Sequence, residues 1–173
     1  MDPDSHRDRL IVIGEGADDL EDGLVLVARM VGYETVVIDK LSVLSQKPDS
    51  QLGDYDLERF SFDPSDSVVV VTHNQRDVPI LEALSRKRVG FVGFMGDRQR
   101  GRETIGRLRE MGVAQSFLDS IHTPVGVDIG SVSAEEISLS VVAELVAMRH
   151  GIHFPHKGRP QGAAEGDGAP LAK

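Results

Sequence analysis

The chain has 173 residues, of which 40% are hydrophobic and 27% are charged, with a formal net charge of −9. This length fits one domain that buries a core without disulfides or a structural metal, and the acidic balance disfavours binding to nucleic acid or to anionic membranes. The absence of cysteine excludes a thiol nucleophile and a thiolate metal site.

The first half of the chain has the pattern of a strand, a helix and a second strand. Residues 10–13 are an apolar run, residues 18–30 have amphipathic periodicity, and residues 34–38 are rich in β-branched side chains. This order predicts a βαβ unit. Residues 41–66 are polar and interrupted by proline and glycine, so they predict an irregular crossover.

The second half repeats the alternation and completes the predicted fold. The predicted elements are a buried strand at 67–71, a helix at 77–87, a strand at 89–94, an arginine-rich helix to Met111, a loop or short strand at 121–130, and a capped helix from Ser133 to His150. The class is therefore α/β, a doubly wound and mostly parallel sheet in a three-layer αβα arrangement. We expect one domain at 9–151, with a flexible start at 1–8 and a disordered tail at 152–173.

The polar start from Met1 to Arg9 lacks the apolar centre of a secretory signal, and the sequence has no apolar run long enough to cross a bilayer. We therefore expect a cytoplasmic protein without membrane contact.

The turn after the first strand partly matches a dinucleotide fingerprint. Gly14 and Gly16 stand where a pyrophosphate needs close backbone approach, and Asp39 ends the next strand, where an acid binds ribose. The third glycine position is occupied by Asp19. Four further acids crowd this helix start: Glu15, Asp18, Glu21 and Asp22. The acids suit the helix dipole but would face an incoming pyrophosphate, so NAD(P) binding and a purely structural turn are both open.

Polar residues follow the central buried strand, where open α/β sheets bind their ligands. They are Thr72, His73, Asn74 and Asp77. A histidine with a carboxylate four residues later is suited to proton transfer or to an oriented metal ligand. The alternative is polar capping of the next helix, with Asp77 or Asn74 as the cap.

A second helix start, after Gly96 and Asp97, is basic instead of acidic. Arg98, Arg102 and Arg109 fall on one helical stripe. If the domain binds an anion, we expect it here. A solvated basic surface is the alternative.

The last helix places Glu144 on an otherwise apolar stripe, so we expect this carboxylate to be buried and paired with an arginine or a backbone group, or else to be catalytic. His150, His153 and His156 span a helix end and a proline, which favours ordinary tail histidines over a metal site.

Four segments together resemble a known family: 72–77, 89–101, 121–130 and 133–151. The sequence resembles the XdhC/CoxI family of accessory factors for molybdenum hydroxylases over about residues 9 to 151. The resemblance implies a Rossmann-like fold, commonly dimeric, that helps prepare or deliver sulfurated molybdenum cofactor to enzymes such as xanthine or carbon monoxide dehydrogenase. Family members usually carry a further N-terminal domain with cysteine, a more neutral first turn, and serine in place of Asp97.

The resemblance implies an accessory role without an evident catalytic constellation. The implied partners are molybdenum hydroxylase subunits or another accessory chain, together with a second copy of this chain, and the implied ligand is transiently bound molybdopterin cofactor. Alternatives are an NAD(P)-dependent oxidoreductase, a nucleotide-binding regulatory domain, and an interaction domain without a small ligand. The candidate cofactor-binding residues are Gly14, Gly16, Asp39, Thr72, His73, Asn74, Asp77, Gly96, Asp97, Arg98, Arg102, Pro124, Gly126, Asp128, Glu136 and Glu144.

Overall fold

The computed structural model describes residues 8–53, 55–73 and 75–154. Its elements, in chain order, are β1 (Arg9–Gly14), α1 (Asp18–Met30), β2 (Glu34–Ile38), β3 (Ser50–Leu52), β4 (Ser67–Val71), α2 (Asp77–Leu84), β5 (Phe91–Phe94), α3 (Arg98–Glu110), α4 (Gln115–Ser120), β6 (Ile121–His122) and α5 (Ala134–Arg149).

The six strands form one sheet in the order β3-β2-β1-β4-β5-β6, and every pairing in it is parallel. β1 lies at the centre, where Ile11 is opposite Val36 on one side and Val68 on the other. The continuous β-branched runs of the inner strands are buried because helices cover both faces. The predicted doubly wound α/β class is confirmed.

The sheet packs against its two helix layers through two apolar clusters. On one face the sheet packs against α2 and α3, through Leu81, Leu84 and Leu108 among others. On the other face it packs against α1 and α5, through Leu24 and Leu145 among others. The three-layer αβα arrangement is therefore confirmed.

Two short elements were not predicted, and their exposure explains why. β3 lies within the segment predicted as an irregular crossover, and all three of its residues are exposed, so it has no hydrophobic alternation. α4 has six residues and buries only Leu118. In addition, α2 ends at Leu84 and β5 begins at Phe91, so both elements are shorter than predicted.

The predicted flexible start and disordered tail fall outside the described residues, apart from Asp8 and residues 152–154. Among the helices that the structure describes, none is both long enough and apolar enough to span a membrane.

Parallel pairing brings the carboxyl ends of the strands to one edge of the sheet. The turns that follow β1, β4, β5 and β6 therefore meet there, and with them most of the candidate residues. The order reverses between β1 and β4, which makes the crevice between these strands the usual ligand position in such sheets.

Candidate functional site

The turn after β1 satisfies its own backbone amides with carboxylates. Gly16 N donates to Asp39 Oδ2 over 2.6 Å, and Ala17 N lies 3.3 Å from Glu21 Oε1. The second oxygen of Asp39 accepts a hydrogen bond from Leu41 N over 2.7 Å. These amides at the start of α1 are the groups that a bound pyrophosphate would need. A dinucleotide would therefore have to displace two side chains of the protein.

The glycine at position 14 makes room for one of those carboxylates. A Cβ atom at Gly14 would overlap Glu21 Oε1 and would lie 3.0 Å from Asp39 Oδ2. The Tyr55 hydroxyl lies 2.7 Å from the Gly14 carbonyl oxygen and 3.1 Å from Asp39 Oδ1. The glycine spacing that predicted a dinucleotide site thus admits a side chain of α1 at this turn.

The carboxyl groups of Glu21 and Asp39 shift each other's pKa. Burial, together with the adjacent carboxylate of Asp39, raises the pKa of Glu21 to about 8. Burial alone would raise the pKa of Asp39, but hydrogen bonds from Glu21, Gly16 and Leu41 outweigh it and hold that pKa below its ordinary value. At neutral pH the pair therefore carries one proton, on Glu21.

Two other acids of α1 bind the crossover backbone. Asp18 accepts from Val43 N over 3.1 Å, and Asp22 accepts from Ser45 N and Gln46 N over 2.9 and 2.7 Å. These carboxylates therefore bind the segment after β2. The sequence had instead suggested that they would face a bound pyrophosphate.

The crevice between β1 and β4 is bridged by Glu15. Its carboxylate accepts from His73 N over 3.1 Å and from Arg76 Nε over 2.7 Å, while the Arg76 guanidinium lies 4.6 Å from the centre of the Tyr55 ring. The bridge borders a depression of about 450 Å³ that Asp56 and Glu58 also line. The usual ligand position of the fold is therefore crossed by an ion pair of the protein itself.

Asp77 has a different role from the predicted helix cap. The N-cap position of α2 is Arg76, which makes no side-chain capping bond. Asp77 is 1% exposed; its Oδ1 accepts from Thr72 Oγ1 over 2.7 Å and its Oδ2 from Arg100 Nε over 2.8 Å. Arg100 also donates from Nη2 to Asp77 Oδ1 over 2.6 Å and to the Thr72 carbonyl oxygen. The capping prediction for Asp77 is wrong because an arginine of α3, which local sequence cannot place, reaches back to it. Asn74, the other predicted cap, lies outside the described residues.

The turn after β5 is basic and open. Asp97 caps α3, its Oδ1 accepting from Arg100 N over 2.8 Å. Arg98 and Arg102 are exposed, and neither forms an ion pair or hydrogen bond with any residue the structure describes. A Cβ atom at Gly96 would lie 3.4 Å from the Arg100 side chain.

A cleft of about 400 Å³ separates α3 from the loop after β6. Its lining residues are Arg98, Gly101, Arg102, Ile105 and Arg109 on α3, and Thr123 and Pro124 on the loop. The predicted arginine stripe is confirmed, since all three of its members border this cleft.

Glu144 holds the loop wall of that cleft. The side chain is buried, Oε2 accepts from Gly126 N over 2.6 Å, and Oε1 lies 2.7 Å from His122 Nδ1. Val125 N donates to the Phe94 carbonyl oxygen over 3.3 Å, which ties the loop to β5 as well. The predicted burial of Glu144 and its backbone pairing are confirmed, and a histidine is a further partner.

The remaining candidates have local structural roles. The helix predicted to begin with a cap at Ser133 does so, and Glu136 completes a capping box with that residue. Glu136 Oε2 also accepts from Val132 N over 2.7 Å. Asp128 is exposed and its Oδ1 lies 3.4 Å from Gly130 N. Over the ranges that the structure covers, no group of three or more His, Asp or Glu side chains is placed to hold a metal ion. His156 lies outside those ranges.

Eight of the sixteen candidates thus form three neighbouring groups along one edge. Gly14, Gly16 and Asp39 belong to the acidic first turn; Thr72 and Asp77 join Arg100; Arg98, Arg102 and Pro124 border the basic cleft. Tyr55, Arg100 and His122 were absent from the candidate set. Arg100 had a signal in the arginine-rich helix start, and His122 lies in the segment 121–130 that carries the family resemblance. Tyr55 stands in no pattern that a single sequence reveals.

The fold and this edge define a Rossmann-like α/β domain whose dinucleotide position is filled by its own acidic side chains and whose neighbouring turn is basic. The chain belongs to the XdhC Rossmann domain family, whose model matches residues 10–145. The family predicted from the sequence is confirmed.

Relatives with known names extend this comparison. The chain is 30% identical over 152 residues to a probable xanthine dehydrogenase subunit of Bacillus subtilis, covering 83% of this chain and 43% of that protein. It is 26% identical over 88 residues to the molybdenum cofactor insertion chaperone PaoD of Escherichia coli, covering 50% of this chain and 28% of PaoD.

A solved structure supports the same fold. The crystal structure of a xanthine dehydrogenase from Bacillus halodurans superposes with a TM-score of 0.70 and 27% identity, covering 92% of this chain and 45% of that one. The chain therefore spans less than half the length of these relatives.

Proposed function

We propose that this chain serves the maturation of a molybdenum hydroxylase, of the xanthine or carbon monoxide dehydrogenase type, by handling the molybdenum cofactor or assisting its insertion. The observation that carries the proposal is the family match over residues 10–145, together with similarity to a protein named as a molybdenum cofactor insertion chaperone. The proposed partners are hydroxylase subunits or another accessory chain, with a second copy of this chain.

The geometry favours this role over the nicotinamide-dependent alternative. Asp39 and Glu21 occupy the first-turn amides, and the Glu15–Arg76 pair crosses the adjacent crevice. Binding a pyrophosphate there would require breaking these contacts and placing new negative charge beside Asp39. We place the cofactor-handling surface further along the same edge, from His73 to the arginines at the start of α3.

Deletion of this chain in its own host tests the proposal. We expect the specific activity of a molybdenum hydroxylase to fall while the amount of hydroxylase polypeptide stays constant, since only cofactor loading is impaired. Re-expression of the wild-type chain restores activity, and a tagged chain captures a hydroxylase polypeptide or an accessory protein. Unchanged activity together with no capture would overturn the proposal. Calorimetry with NAD and NADP tests the alternative, and heat of binding would favour it.

A further inference from the structure

The cleft between α3 and the loop after β6 concentrates positive charge on a concave surface. α3 carries five arginines and two glutamates, in a chain whose net charge is −9. Three of these arginines, at positions 98, 102 and 109, border the cleft of about 400 Å³. A concave surface of one sign focuses its field and attracts ligands of the opposite sign.

Two of those arginines differ from the arginines that hold the fold together. Arg100 binds Asp77, Arg76 binds Glu15 and Arg9 binds Asp66. Within the part of the chain that the structure describes, Arg98 and Arg102 have no such partner. Like charges four residues apart on a helix repel each other and lower its stability. An anion bound between the two guanidinium groups would remove that repulsion.

The opposite wall offers an unsatisfied hydroxyl. Thr123 Oγ1 is buried and has no hydrogen-bond partner among the described residues. It lies where the loop touches α3, since a Cβ atom at Gly101 would be 2.6 Å from it. Buried hydroxyls in folded proteins are almost always paired, so an oxygen atom of a ligand at the base of the cleft is a fitting partner. The loop is held in place by Glu144 and Phe94, so this wall is formed in advance.

We propose that this cleft binds the phosphate group of a small ligand, through the guanidinium groups of Arg98 and Arg102 and the hydroxyl of Thr123. Guanidinium groups bind phosphate oxygens in pairs, and a phosphate has enough oxygens for two such groups and a hydroxyl. The positive end of the α3 dipole, where Arg98 begins the helix, adds to the attraction. Ile105 and Pro124 supply apolar contact for the rest of the ligand.

This inference deepens the proposed function, because Arg98 and Arg102 belong to the surface proposed there for handling the cofactor, but the two proposals are tested by separate observations. A phosphate site in the cleft would stand even if deletion of the chain left hydroxylase activity unchanged. Conversely, a maturation role would stand if the cleft bound no phosphate. The two tests therefore fail separately.

Calorimetric titration of the full chain with inorganic pyrophosphate tests the site, with sodium chloride of equal ionic strength as the blank. In the double variant Arg98→Gln/Arg102→Gln we expect affinity to fall by about tenfold or more, because two charge-assisted contacts are lost. The charge-matched control is Arg88→Gln/Arg107→Gln, which changes two exposed arginines outside the cleft and should weaken binding by less than about twofold.

A Thr123→Val variant separates ligand contact from folding. Valine keeps the shape but removes the unpaired hydroxyl, so the free energy of unfolding should not decrease. Affinity for pyrophosphate should nevertheless fall about threefold. Equal weakening in both double variants, no binding at millimolar pyrophosphate, or unchanged affinity in Thr123→Val would each overturn the proposal.

Discussion

The turns after β1 and β5 are built alike but carry opposite charge. Each follows a buried parallel strand and begins a helix of 13 residues at the same edge of the sheet. In the first turn the backbone amides are hydrogen-bonded to the carboxylates of Asp39 and Glu21. In the second turn Arg98 and Arg102 have no partner among the described residues. Glycine spacing alone therefore does not identify a phosphate site, because glycine equally admits a side chain of the protein.

Charge at the helix start decides whether a turn is occupied by the protein's own carboxylates or stays open to an anion. The first turn of α1 contains three acids, while the first turn of α3 contains none and is capped by Asp97 alone. Carboxylates at a helix start satisfy its dipole and its free amides, and they leave less attraction for an anion. The comparison predicts that the two turns respond differently to substitution.

The largest expected effect is at the ion pair that joins α3 to the start of α2. Arg100→Ala leaves the carboxylate of Asp77, which is 1% exposed, with the Thr72 hydroxyl but without a cation beside it. Removing one partner of a buried pair destabilises a protein by about 3 to 5 kcal/mol. Urea unfolding followed by circular dichroism measures the change.

Arg98→Ala is the matched control, since it removes an arginine two residues away that has no partner among the described residues. It should change the free energy of unfolding by less than about 0.5 kcal/mol. If both variants were equally stable, the central role of Arg100 would be wrong.

Much of the fold was predictable because burial leaves periodic patterns. α1, β2 and β4 were predicted with their observed bounds, since each has a clear apolar stripe or a β-branched run. The burial of Glu144 followed from the same periodicity. β3 was missed because all its residues are exposed.

The contacts of the site were less predictable because they join distant residues. Asp77 and Arg100 are 23 positions apart, and Tyr55 is 41 positions from Gly14. A single sequence shows that Asp77 follows a buried strand, but not which cation will reach it. The same limit applies to Glu21, whose position beside Asp39 depends on how α1 packs against the sheet.

The acidic first turn predicts a dependence of stability on pH. Glu21 has a folded pKa of about 8, above its ordinary value of 4.5. The folded state therefore binds more protons at this site than the unfolded state does, so the contribution of Glu21 to stability is fully present below pH 4.5 and is lost as pH rises through about 8. Glu21→Gln mimics the protonated side chain and should remove most of this pH-dependent loss, measured by urea unfolding across the range.

The control for this experiment is Asp19→Asn, which neutralises an exposed acid of the same helix. It should leave the slope of stability against pH close to that of the wild type. The lowered pKa of Asp39 acts below its ordinary value of 3.8 and so does not contribute in this range. A wild-type slope in Glu21→Gln would contradict the protonated pair.

The smallest expected effect is at the cap of α3. Asp97→Ala removes the acceptor for Arg100 N and should lower the free energy of unfolding by about 1 kcal/mol, the usual cost of losing a helix cap. Asp97→Ser keeps a capping oxygen and should recover most of that loss, although it also removes a negative charge from the basic turn.

If the proposed phosphate site is correct, pyrophosphate should bind Asp97→Ser more tightly than the wild type, because the carboxylate that opposes it is gone. Weaker binding in Asp97→Ser would instead indicate that the carboxylate itself orients the ligand or the arginines. The turn after β5 would then depend on a carboxylate, as the turn after β1 does.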